Sequence, residues 1–233
     1  MKNKPLLIAL DVNRGADALA LAAQLSPEHC RLKIGKELYT REGRQLVEAL
    51  QKIGYDIFLD LKYHDIPNTV AAALRVSADM GVWMVNVHAS GGRKMLESAA
   101  DAVANHQRTP LLIAVTVLTS LGDSELREIG IDEPLAAHVA RLTALAADCG
   151  LNGVVCSAHE AGAIKAAHGS DFLTVTPGIR PAGSTADDQT RTMTPAAALQ
   201  AGSDYLVIGR PVTRAEKPAV ALADILASLK AGA

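Results

Sequence analysis

The chain has 233 residues, 49% of them hydrophobic but only 3% aromatic, and a formal net charge of −2. Such a balance, without runs of Lys or Arg, offers no basic face to nucleic acid, and Cys30, Cys149 and Cys156 form no CxxC pair, which argues against disulfides or structural zinc and for a reducing cytosol. The apolar run behind Met1–Pro5 stops at Asp11, too short for a secretory signal or a membrane span, so the expectation is a soluble cytoplasmic protein.

Taken in order, Leu6–Leu10 reads as a strand and Asp17–Leu25 as a helix. Cys30–Gly35 and Glu42–Ile53 repeat the pair, as do Asp56–Lys62 and Thr69–Met80. Val82–Ala89 is a fourth strand, and Gly91-Gly92 opens a helix to about Asn105. The fifth strand, Leu111–Leu118, is followed by an insertion, Thr119–Glu133, with a short amphipathic piece at Glu125–Ile129, and then by the helix Pro134–Cys149. Gly153–Cys156 and Glu160–Ala167 form the sixth unit. Phe172–Val175 is the seventh strand, with a long loop from Thr176 to Thr194 before the helix Pro195–Ala201. Tyr205–Ile208 is the eighth strand, and the chain closes with a helix from Pro218 to about Lys230. Eight strand-then-helix units without a break in composition predict one domain, residues 1–233, folded as a (β/α)₈ TIM barrel, an α/β fold, rather than an open doubly wound sheet.

The irregular chemistry falls on one side of this pattern. Asp11, Lys33, Asp60, Lys62, His88, Thr119, Ser157, Thr176 and Arg210 all lie at or just past the C-terminal ends of predicted strands, the face where barrels build their active sites. Within the third strand Asp60 and Lys62 are two apart and project the same way. Asp65 comes back within reach if the chain turns before Pro67. An ammonium held between two carboxylates stays charged and is suited to act as an acid. A structural salt-bridge network is the alternative, but burying Lys33, Asp60, Lys62 and Asp65 together costs several kcal/mol unless function keeps them there.

A second cluster points to phosphate. The loops after strands seven and eight often hold one in barrels, and here they carry Gly178, Gly183 and Gly209-Arg210, the last with a guanidinium suited to bidentate contact. His64 and His88 show no HxH or HExxH spacing, so a structural or hydrogen-bonding role is expected of them and no metal site. His159 and His168 read as surface residues of a helix.

The decapeptide Asp60-Leu61-Lys62-Tyr63-His64-Asp65-Ile66-Pro67-Asn68-Thr69 resembles the signature of the orotidine 5′-phosphate decarboxylase family. The likeness extends through Lys33-Ile34-Gly35-Lys36, Val115–Ser120, Thr176–Arg180 and Ile208–Pro211. It implies a homodimer of barrels with shared active sites that converts orotidine 5′-monophosphate (OMP) to UMP and CO₂ in pyrimidine biosynthesis, with no metal or organic cofactor and no nucleic-acid or membrane partner. Lys33, Asp60, Lys62 and Asp65 would form a charged tetrad, with Asp65 and Thr69 reaching into the partner's site. Asp11 and Lys33 would hold the ribose hydroxyls. Thr119 and Ser120 would face the pyrimidine, Asp60 would lie beside the substrate carboxylate, and Arg180, Gln189, Gly209 and Arg210 would serve the loop and the phosphate. Two other readings stay open: a Mg²⁺-dependent sugar-phosphate decarboxylase or lyase of the same fold, which shares the looser D-x-K-x-x-D core, and a non-catalytic nucleotide-binding barrel.

Overall fold

The computed structural model describes residues 4–104, 106–181 and 192–231. Eight strands, β1 (Leu6–Ala9), β2 (Arg31–Gly35), β3 (Ile57–Tyr63), β4 (Met84–His88), β5 (Leu111–Val115), β6 (Gly153–Val155), β7 (Leu173–Thr176) and β8 (Tyr205–Ile208), pair in parallel in chain order. The ring closes through β8 on β1, with Leu7 opposite Val207. The connecting helices are α1 (Gly15–Ala22), α2 (Lys36–Lys52), α3 (Pro67–Asp79), α4 (Arg93–Ala104), α5 (Asp123–Glu128), α6 (Leu135–Asp148), α7 (Ala158–His168), α8 (Pro195–Gln200), α9 (Arg210–Thr213) and α10 (Pro218–Ala231). This is the (β/α)₈ barrel that the alternation predicts.

Two apolar layers result from the period of two along each strand. Ile57 and Leu59 of β3, Leu32 and Ile34 of β2, and Val85 and Val87 of β4 belong to the layer shared with the helices. Phe58, Leu7, Met84, Ile113, Leu173, Val175 and Tyr205 fill the barrel interior. The N-terminal end is plugged. The Arg31 guanidinium lies 4.1 Å from the Trp83 ring centroid and 5.7 Å from that of Tyr205, and its Nε donates to Asp56 Oδ2 at 3.1 Å. Trp83 meets Tyr205 edge-on at 5.1 Å. Stacking and a charge-assisted hydrogen bond act together here, so Arg31→Ala should cost about 2 kcal/mol in urea unfolding. An unchanged midpoint would show that the plug adds nothing to stability.

Boundaries differ from the sequence reading where a partner decides them. Helix α2 starts at Lys36, not Glu42, and Gly43 interrupts it with φ 61° and ψ −152°. Glu42, just before this break, accepts the Gly15 N–H at 2.8 Å and so ties the start of α1 to α2. Strand β5 ends at Val115, not Leu118, because its neighbour β6 is only three residues long. Thr116 then turns to β6 through both its N–H and its hydroxyl, which donate to the Val155 carbonyl at 3.2 and 3.1 Å. The single turn α9 after Gly209 was not expected from sequence. Cys30, Cys149 and Cys156 are buried, as small hydrophobes should be, and burial pushes the Cys30 thiol up to about 12. Among the described residues no helix is long and apolar enough to cross a membrane.

Candidate active site

A cavity of about 430 Å³ opens at the C-terminal end of the barrel. Its floor is apolar, formed by Phe58, Val115, Val155 and Val207, each at an inward position of its strand. Asp11, Lys33, Asp60 and Lys62 line it from β1 to β3, Gly178, Arg180 and Gly209 from the segments after β7 and β8, and Arg210 from the start of α9. Thr119, from the segment after β5, joins the lining. Charged walls above an apolar floor suit a ligand with a flat ring and anionic groups.

Asp60 is the hub. Its Oδ1 accepts from Lys62 Nζ at 2.6 Å and from Asn86 Nδ2 at 2.7 Å, while its Oδ2 lies 3.3 Å from Lys33 Nζ. Lys33 Nζ reaches Asp11 Oδ1 at 3.5 Å. Burial pushes the Asp60 carboxyl up, but the Lys33 and Lys62 ammoniums and the hydrogen bonds from Lys62 and Asn86 outweigh it and hold the group below the usual carboxylate range. Asp60 is therefore an anion that keeps two cations at the mouth of a pocket.

Simple alternation does not deliver Lys62 to this place. The pairing of β3 with β4 slips between Leu59 and Tyr63, and Lys62 sits in the left-handed region at φ 51°. The Lys62 N–H donates to the side-chain Oδ1 of Asn86 at 2.8 Å. Asn86 escaped the sequence reading. Its signal was an amide at an inward position of an otherwise apolar strand, fully buried, where an unpaired polar group would be costly. Arg214 was missed too and lines the cavity, with only its spacing from Arg210 as a clue.

Other expected residues lie elsewhere. Asp65 is exposed, its Oδ1 accepts the Ile66 N–H at 2.6 Å, and it does not line the cavity. The chain does not fold Asp65 back onto its own Lys62, because the residues before Pro67 stay open and α3 begins only at that proline. Thr69 and Ser120 are exposed and also outside the lining. Gly183 and Gln189 lie outside the described residues. Arg180 donates through Nη1 to the Ile179 carbonyl at 3.0 Å, and among the described residues its Nε is the buried side-chain polar atom left without a partner. His64 and His88 face each other with ring centroids 5.5 Å apart, and burial, helped by His64, takes His88 down to about 4. Among the described residues no group of three His, Cys, Asp or Glu side chains is arranged to hold a metal ion.

Comparison with known proteins places this geometry. The family model described as "Orotidine 5'-phosphate decarboxylase / HUMPS family" matches residues 4–225. The orotidine 5′-phosphate decarboxylase of Teredinibacter turnerae is 59% identical over 225 residues, covering 97% of each chain. That of Dichelobacter nodosus is 58% identical over 98% of this chain and 100% of its own. Among solved structures, orotidine 5′-phosphate decarboxylase from Lactobacillus acidophilus superimposes with a TM-score of 0.86 at 38% identity, covering 97% of this chain and 99% of that one. With the whole barrel and every cavity-lining residue inside the matched span, the chain belongs to the orotidine 5′-phosphate decarboxylase / HUMPS family.

Proposed function

We propose that the chain, as one domain, is a carboxy-lyase that converts OMP to UMP and CO₂ without metal or organic cofactor, with Lys62 as the proton donor. The observation that carries this reading is the Lys62 ammonium, 2.6 Å from Asp60, in the same cavity as Arg180 and Arg210. The bond between the pyrimidine ring carbon and its carboxylate breaks, CO₂ leaves, and the electron pair stays on the ring carbon. Lys62 Nζ gives that carbon a proton and is itself reprotonated from solvent. A fixed cation aimed at developing negative charge needs no reorganisation during the step, which is where the rate gain arises.

The remaining residues divide the substrate between them. Asp11 and Lys33, 3.5 Å apart, hold the ribose hydroxyls. Asp60 lies beside the substrate carboxylate, and Thr119, which lines the cavity, faces the ring. Arg180, whose buried Nε has no acceptor among the described residues, takes the phosphate with Gln189, Gly209 and Arg210. Phosphate contacts lie far from the breaking bond and supply binding energy that supports the chemical step. Asp65 and Thr69, exposed and outside this chain's cavity, complete the site of a second copy in a homodimer. The enzyme works in the cytoplasm.

Turnover is read from the loss of orotidylate absorbance, with and without EDTA. Equal rates are expected, whereas a rate abolished by EDTA and restored by Mg²⁺ would favour metal-assisted chemistry on a sugar phosphate. Binding of UMP with no absorbance change would leave only a nucleotide-binding barrel. For the shared site, Lys62→Ala and Asp65→Ala subunits, each inactive alone, should recover part of the activity when mixed, because one site in a heterodimer is then intact. No recovery after verified subunit exchange would place Asp65 outside the partner's site.

A further inference from the structure

Lys62 is held by a closed ring of three hydrogen bonds. Its backbone N–H donates to Asn86 Oδ1 at 2.8 Å, Asn86 Nδ2 donates to Asp60 Oδ1 at 2.7 Å, and the same Oδ1 accepts from Lys62 Nζ at 2.6 Å. The amide is oriented by both neighbours, since a backbone N–H needs its oxygen and a carboxylate needs its NH₂. A non-glycine residue in the left-handed region costs about 1–2 kcal/mol, and Lys62 is in that region where the β3–β4 ladder slips. The Asn86 side chain replaces the ladder partner that Lys62 has lost. It is fully buried on β4, a strand whose pairing with β5 runs unbroken from Met84 to His88, so its own position is fixed by the barrel wall.

We propose that Asn86 is the positioning residue of this site, holding the Lys62 backbone in its left-handed turn with one end of the amide and the Asp60 carboxylate with the other. The inference rests on the reading of Lys62 as proton donor. Without the amide, Lys62 relaxes toward an ordinary extended conformation, which swings Nζ away from the reacting carbon, and Asp60 loses one of the two donors on Oδ1. A displacement of about 1 Å between reacting groups is worth roughly 10²-fold in rate. Substrate affinity, carried largely by the ribose and phosphate contacts, is left nearly as it was.

The test compares wild type with Asn86→Ala and Asn86→Asp. The first removes both ends of the amide; the second keeps its shape and its acceptor but, as a carboxylate, has no hydrogen for Asp60. Turnover of orotidylate, KM, UMP affinity and thermal unfolding are measured for each. The expected result is kcat lower by about 10²-fold in both variants, with KM and UMP affinity within about threefold of wild type. A merely structural role would lower the unfolding temperature and spare kcat per folded molecule. If Asn86→Ala fails to unfold cooperatively, the isosteric Asn86→Asp decides. A folded variant with kcat within about threefold of wild type, or one that loses UMP affinity as steeply as kcat, would overturn the positioning role while the decarboxylase reading stands. Wild type inert toward orotidylate would overturn both.

Discussion

Lys62→Ala should reduce decarboxylation by about 10⁴-fold or more while the protein still binds UMP. Two contributions disappear together. In the proposed role the side chain would place a positive charge where the ring carbon becomes negative, and would hold the proton which that carbon then takes. The substitution also leaves Asp60 with Lys33 as its remaining cation, at 3.3 Å, in a site where carboxylate burial is costly. UMP carries no carboxylate, so its affinity depends on the ribose and phosphate contacts and survives. Single-turnover measurements on a variant shown to bind UMP are the check, and full activity there would end the assignment of Lys62.

Gly153→Ala should cost roughly 3 kcal/mol or more, or prevent folding altogether, without touching any group that contacts substrate. A Cβ at this position would sit 2.1 Å from the Leu173 carbonyl oxygen and 2.6 Å from Leu173 Cβ. Both neighbours are fixed. Leu173 is in register with Gly153 across the β6–β7 pair, and Ile113 is in register on the other side, so neither backbone can retreat without opening the ring. Denaturant titration measures the loss, and a wild-type midpoint would show that β7 yields more easily than a closed barrel should.

Much of this molecule was legible because its periods are regular. Strand–helix alternation, repeated eight times, implied the barrel, and strand alternation put Asp60 on the inward face beside Lys33, whereas Lys62 reaches Asp60 through a left-handed turn where the β3–β4 register slips. What escaped depended on neighbours distant in sequence. The end of β5 is set by the length of β6, and the direction of Asp65 is set by a turn whose backbone stays open until Pro67. Asn86 drew no notice within β4, because what it does depends on the neighbouring strand, where Lys62 has left the ladder. Helix α2 begins six residues before the Glu42 expected, and Gly43, expected inside a continuous helix, instead joins two helical pieces.

The plug of Arg31, Trp83 and Tyr205 beneath the packed interior makes the barrel a blind cup. For the proposed reaction, among the described residues, the nucleotide would enter and CO₂ and product would depart through the same C-terminal mouth. With Arg180 and Arg210 in their proposed role, UMP would keep the phosphate anchor of the substrate it came from, so product clearance and substrate capture would compete for the same arginines.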